Sequence, residues 1–187
     1  MHLSRQVLKS LIRDKNLVTN FADLEHQLTA NGFDVRLAAI VEIKDAGKLA
    51  ISKANNAPPK LGKAFVLEGF EDRLKGYEVE DIQTRESVKL ERLRPYLVIT
   101  CEEVNTPGNL MIHIGARSSL FRLTQSLLGT TFGEAGYKGF LTFMLLPILD
   151  GEVELGARIA QLSFGELKGS AHYEDQKETN YQGGKLF

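Results

Sequence analysis

From Ile40 onward this chain offers almost no run that could be an amphipathic helix. It offers short apolar or alternating runs instead, cut by glycine, proline and asparagine. Strands repeat with a period of two and turns demand those residues, so this pattern confines the chain to a mainly β architecture. The runs are 64–67, 87–93, 96–101, 110–114, 140–146, 153–155 and 158–164. Thr106-Pro107-Gly108-Asn109, Asp150-Gly151 and Gly165 are the turn signals between them. Many short strands with such turns predict an antiparallel sandwich or barrel.

The first forty residues read differently. Ser4 can cap a helix over residues 4–15, with Val7, Leu8, Leu11 and Ile12 on one face. Residues 22–30 fit a further turn or two of helix, ended by Asn31-Gly32. Apolar and charged residues alternate in Phe33-Asp34-Val35-Arg36-Leu37, which predicts a strand. Ile40-Val41-Glu42-Ile43 and Leu49-Ala50-Ile51 read as two strands flanking Asp45-Ala46-Gly47, and residues 53–63 as a loop. Residues 53–86 carry no functional motif. Residues 168–187 are too polar to fold alone and are expected to lie over another part of the molecule.

Bulk properties narrow the chemistry. Charged residues make up 25% of the 187 and nearly cancel, leaving a net charge of -1. That balance argues against a general nucleic-acid binder and leaves room for one local phosphate site. The single cysteine, Cys101, excludes an intramolecular disulfide framework and suits a reducing cytoplasm. No stretch approaches the roughly 20 apolar residues that span a bilayer, so no membrane partner is expected. His2, His26, His113 and His172 form no metal-binding pattern with one another or with Cys101, so no zinc is expected. No nucleophile elbow, Walker loop or dinucleotide fingerprint is present.

One stretch concentrates chemistry. In Arg117-Ser118-Ser119-Leu120-Phe121-Arg122, two guanidinium forks and two hydroxyls can meet phosphate oxygens, and a turn there could form an anion nest. The bland alternative is that these arginines pair with carboxylates. Next, Gly133-Glu134-Ala135-Gly136-Tyr137 sets a carboxylate on a glycine turn, where it could orient or deprotonate a water or simply be solvated. Tyr137 could stack under a sugar or fill core.

These segments, in order, resemble those of the dUTPase / dCTP deaminase family, in its archaeal dCTP deaminase-like dUTPase form. Gly32-Phe33-Asp34-Val35-Arg36-Leu37 is similar to its first motif, and Arg117 to Arg122 to its arginine-serine-serine motif. Glu134 to Gly139 resembles the acidic loop, Gly156-Ala157-Arg158-Ile159-Ala160-Gln161-Leu162-Ser163-Phe164 the G-x-R-I-A-Q-L-x-F strand, and Asn180-Tyr181-Gln182-Gly183-Gly184 the tail. The resemblance implies a distorted jelly-roll or β-barrel with an N-terminal helix, formed by residues 1–187 as a single domain. It implies a homotrimer with sites between subunits and a C-terminal arm (168–187) closing over a deoxypyrimidine nucleoside triphosphate. Magnesium would ride on the triphosphate rather than on protein ligands. Ser118, Arg122 and Glu134 would be catalytic. Arg117, Ser119 and Gln161 would hold phosphates, Tyr137 would pack on the deoxyribose, and Tyr173, Tyr181 and Gln182 would cover the nucleotide.

Four positions depart from the family pattern. Glu134 stands where the hydrolases have an aspartate, one methylene shorter. Met144 stands where the deaminases have the glutamate that works on the pyrimidine ring, and a thioether cannot transfer a proton. Asn180 and Gly184 replace the usual tail lysine and second glutamine, and Lys185 is the nearby candidate for the missing charge. The first expectation is therefore hydrolysis of dUTP to dUMP and pyrophosphate. The alternatives are dCTP deamination and nucleotide binding without turnover.

Overall fold

The computed structural model describes residues 1–176 and 181–187. The chain opens with α1 (Arg5–Lys15), β1 (Val18–Thr19) and a single helical turn, α2 (Leu24–Gln27). A long strand, β2 (Phe33–Ile43), follows. The middle of the chain supplies β3 (Leu61–Val66), β4 (Asp81–Thr84), β5 (Ser87–Leu90), β6 (Tyr96–Asn105) and β7 (Leu110–Ala116). Beyond a short helix, α3 (Ser118–Thr124), come β8 (Ser126–Gly129), β9 (Phe132–Gly133), β10 (Lys138–Pro147), β11 (Gly151–Glu154) and β12 (Arg158–Glu166). The molecule is mainly β, with its main sheet curled into a half-barrel.

Strand β2 organises the sheet, whose main path runs β8-β10-β6-β2-β12-β7-β9. Its first residues, Phe33 to Arg36, pair with β12. From Leu37 onward it pairs with β6, and from Ala39 with β3 as well. The register shifts between Leu37 and Ala39. Such a bulge bends a strand and sharpens its twist, which lets β2 serve two halves of the sheet. Nine of its eleven residues are buried, as expected of a strand covered on both faces. The periodicity reading split this one strand in two because the bulge interrupts the alternation.

The handover between the two halves is held by a buried carboxylate. Glu102 of β6 has no exposed surface. It accepts the main-chain N–H of Arg36 at 2.6 Å and its side-chain Nε at 2.7 Å. Gln27 adds a third donor at 2.7 Å. Burying a carboxylate is tolerable only with this many partners.

Several local expectations are corrected. Leu49-Ala50-Ile51 is not a strand: Leu49 and Ile51 are 92% and 109% exposed, and only Lys48 makes a bridge, to Ala57. No neighbouring strand is there to receive them. Part of the expected loop, Lys53–Asn55, is a 3-10 turn, and its last residues belong to β3. The second helix shrinks to one turn, capped by Asp23 accepting from the N–H groups of Glu25 and His26. Ser4 occupies the cap position of α1 without a side-chain cap hydrogen bond, and Val7 faces outward while Leu8 and Ile12 are buried.

Glu102→Ala strands the Arg36 N–H and guanidinium, so it should lower the unfolding free energy by about 3–5 kcal/mol in urea titrations. Glu102→Gln keeps an acceptor and should cost clearly less; equal losses would contradict this account of the handover.

Candidate functional site

Two clusters carry the chemistry, and the first is built on Asp34. The alternation around Asp34 reads as a solvent-facing carboxylate, but its side chain is 2% exposed. Arg117 Nε lies 3.0 Å from its Oδ2, and Arg158 Nη1 lies 3.3 Å from the same oxygen. Gln161 Nε2 donates to Oδ1 at 3.3 Å and to the Thr29 hydroxyl at 3.1 Å. The pairings explain the convergence. Arg36 opposes Arg158, and Asp34 opposes Gln161, across β2 and β12. Gln161 opposes Gly115 across β12 and β7, whose end leads into Arg117. One buried carboxylate thus fixes two guanidinium groups and an amide side by side.

Burial pushes the Asp34 carboxyl above its ordinary range, while the guanidinium groups of Arg117 and Arg158 and the Gln161 amide pull it back. Both arginines remain partly exposed, so donors not spent on Asp34 stay available to an anion.

Ser118 and Ser119 do not form a turn. Arg117 takes the cap position with extended backbone, and the serines begin α3. Seven residues without glycine from Ser118 to Thr124 can wind into a helix, so the expected anion nest is replaced by a helical turn. Arg122 is exposed on α3 with its guanidinium 5.5 Å from the centre of the Phe121 ring. Among the described residues it makes no ion pair, and it is not part of the Asp34 cluster.

The second cluster is a cavity of about 660 Å³ beside the β9–β10 turn. Ile114, Leu97, Leu141 and Phe143 give it an apolar wall, and Thr130, Thr131 and Thr142 line it as well. Glu134, Tyr137, Tyr173, Tyr181, Met144, Lys185, Leu186 and Phe187 are also in the lining. Among the described residues, Glu134 is the one carboxylate of this lining and Lys185 the one cation. Glu134 is half-buried, and its Oε2 accepts from Gln176 Nε2 at 2.8 Å. Met144 is 45% exposed here.

Tyrosines set the floor. Tyr137 is buried, donates its hydroxyl to the Phe140 carbonyl at 2.7 Å and meets Tyr173 edge-on at 5.6 Å between centroids. Burial first, and Tyr173 second, drive its phenol upward in pKa, so it stays a neutral donor. The turn beneath depends on Gly136, whose φ is +83° and where a Cβ would lie 2.7 Å from the Tyr173 nitrogen.

Tail residues reach the same turn. Gln182 accepts the Lys138 N–H at 3.0 Å and donates to the Gly136 carbonyl at 3.3 Å. It therefore touches protein backbone rather than lining the cavity. Tyr181 is half exposed at the rim and Tyr173 is buried. Gly184, where the family has glutamine, has a φ of +81° and would place a Cβ 2.6 Å from the Phe140 ring, so no side chain fits. The departure at Asn180 lies outside the described residues.

Arg117, Ser118, Ser119, Arg122 and Gln161 do not line this cavity. The predicted site residues therefore do not meet in one place within the chain. Arg117 and Gln161 sit at Asp34, and Glu134, Tyr137, Tyr173 and Tyr181 line the cavity. Ser118, Ser119 and Arg122 lie on α3, and Gln182 holds the β9–β10 turn. Asp34, Arg158 and Thr29 were missed as members of the Asp34 group. The only signal for them was the pair of motif segments that contain Asp34 and Arg158.

The curled β half-barrel is similar to the folds of dUTPases and dCTP deaminases. The chain belongs to the dCTP deaminase-like family, whose model it matches over residues 2–167. It is 26% identical over 167 residues to a probable deoxyuridine 5'-triphosphate nucleotidohydrolase of Archaeoglobus fulgidus, covering 88% of each chain. It is 38% identical over 89 residues to a dCTP deaminase of Natronomonas pharaonis, covering 45% of this chain and 46% of that one. Its fold is similar to that of the 2'-deoxycytidine 5'-triphosphate deaminase from Agrobacterium tumefaciens, with a TM-score of 0.58 and 20% identity. That match covers 87% of this chain and 47% of the other.

The Asp34 shift has a sign that can be measured. A carboxyl raised in the folded state adds stability in full below its ordinary value of 3.8 and loses it as pH rises through the folded value. Asn at this position does not titrate. The wild-type minus Asp34→Asn difference in unfolding free energy should fall as pH rises from about 4 and then level off. A difference that rises over that range would mean the arginines outweigh burial.

Proposed function

We propose that the protein hydrolyses dUTP to dUMP and pyrophosphate, with Glu134 holding and deprotonating the attacking water. One observation carries this reading: among the described residues, Glu134 is the one carboxylate side chain lining the cavity, while Met144 presents a thioether to the same space. A carboxylate can accept a proton from water; a thioether cannot serve ring deamination. The reaction adds water oxygen to the α-phosphorus and breaks its bond to the bridging oxygen, and pyrophosphate departs. Glu134 has one methylene more than the hydrolases' aspartate, and reacting atoms must meet at about 3–3.5 Å. Turnover should accordingly be slow.

Tyr137 and Tyr181 would flank the sugar and base, with residues 168–187 serving as the arm of the site. The Asp34-fixed guanidinium groups and Gln161, with the hydroxyls of Ser118 and Ser119 and with Arg122 at the other end of α3, form a face suited to phosphates. That face and the Glu134 cavity are separate within one chain, so we infer that the nucleotide sits between copies, most simply in a homotrimer. Among the described residues no three carboxylate, histidine or cysteine side chains cluster as metal ligands. A magnesium ion would then be held by the triphosphate oxygens, the hard ligands it prefers. A chain with one cysteine builds no intramolecular disulfide framework, which suits the cytoplasm to which we assign the protein.

The test is a panel of deoxynucleoside triphosphates with magnesium, assayed for pyrophosphate and for ammonia. Pyrophosphate from dUTP should fall at least about 10²-fold in Glu134→Gln. Ammonia from dCTP would make this a deaminase. Binding of a non-hydrolysable dUTP analogue without pyrophosphate release from dUTP would make it a binding protein.

The shared site makes its own prediction. Co-expressed Arg117→Ala and Glu134→Gln chains should recover part of the activity that each lacks alone, because mixed oligomers contain one intact site. No recovery in mixed oligomers would put both groups' work within single chains.

A further inference from the structure

A second cavity, of about 610 Å³, borders the β9–β10 turn through Gly136 and Lys138. It lies between the end of α1, residues 105–109 and the 3-10 turn Tyr173–Asp175. We infer that it is a binding site for a small zwitterion, a free amino acid with an apolar side chain. The inference does not depend on the nucleotide reading. Charges of both signs line this hollow: Lys15 and Lys138, Glu174 and Asp175. All four are exposed, and among the described residues none makes an ion pair. A ligand of one sign would be attracted by one pair and repelled by the other. A molecule carrying a carboxylate and an ammonium group satisfies both, and Leu11 and Pro107 give its stem an apolar wall.

The fold brings these charges together from three parts of the chain. Asn105 pairs with Lys138 across β6 and β10, and its side-chain amide donates to the Lys15 carbonyl at 3.4 Å. The two lysines therefore flank one residue. Both carboxylates sit on the single turn Tyr173–Asp175. That turn is tied down just before it begins, where the Ala171 N–H donates to the Gly108 carbonyl at 2.8 Å. A Cβ at Gly108 would lie 2.8 Å from the His172 ring, so only glycine allows this approach. Thr106, in the same wall, spends its main chain on the β9–β10 turn: its N–H donates to the Tyr137 carbonyl at 2.9 Å, and its carbonyl accepts from Gly136 at 3.0 Å. Its hydroxyl is buried and has no hydrogen-bond partner among the described residues. A buried donor without an acceptor is unfavourable, and a carboxylate drawn to this wall by the lysines supplies one.

The experiment is calorimetry on the full chain with L-leucine. Two controls share its branched stem: isocaproate, which lacks the amine, and isoamylamine, which lacks the carboxylate. Leucine should bind, and each control should bind at least about tenfold more weakly, the worth of one charge-assisted hydrogen bond. Lys15→Met combined with Lys138→Met should weaken leucine about tenfold or more, and Asp175→Asn should weaken it as well. Thr106→Val should also weaken leucine without lowering the thermal midpoint of the free protein, because it removes an unpaired hydroxyl. Glu134→Gln, in the neighbouring cavity, should leave leucine affinity unchanged. Wild type that binds no leucine overturns the inference. So does equal affinity in the double lysine variant, or isocaproate binding as tightly as leucine.

Discussion

The candidate site depends on a carboxylate that water scarcely reaches. Asp34 is buried on a strand that also joins the two halves of the sheet. An isolated buried carboxylate would be prohibitively unfavourable, so it must gather partners. It gathers Arg117 from the end of β7, and Arg158 and Gln161 from β12. Solvation of one group and preorganisation of three others are therefore the same physical event. The donors are held in position before any ligand arrives, which spares the ligand the entropy of ordering them.

Glu102 repeats the device on the other side of β2. There the carboxylate serves the backbone, accepting an N–H at the point where one strand changes partners. Gln27 ties the two positions together, its amide donating both to the Glu102 carboxylate and to the main-chain carbonyl of Asp34. Fold and candidate phosphate face are thus supported by one continuous polar network beneath an otherwise apolar sheet. Networks of this kind specify a unique arrangement when every member is satisfied.

Much of this was legible in the sequence because strands announce themselves by period and turns by glycine and proline. From β5 onward, β5, β6, β7, β10, β11 and β12 fall close to their expected positions while β8 and β9 were not foreseen, and the motif segments revealed the family. What escaped was whatever depends on a partner distant in the chain. Leu49-Ala50-Ile51 has strand-like residues and no strand beside it. Asp34 alternates like a surface residue and is buried because Arg117 lies 83 positions later but adjacent in space. The run after Arg117 looked like a turn because its serines suggested one, whereas its backbone had nothing to stop a helix.

The contact between Gly184 and Phe140 has a consequence for how this family can vary. A tail that must pass a single hydrogen atom over an aromatic ring is not an interchangeable module. Grafting a relative's tail, with a glutamine at that point, would fail at the ring unless Phe140 were exchanged with it. The strand and the tail therefore constrain one another: a side chain at position 184 needs a smaller residue at 140.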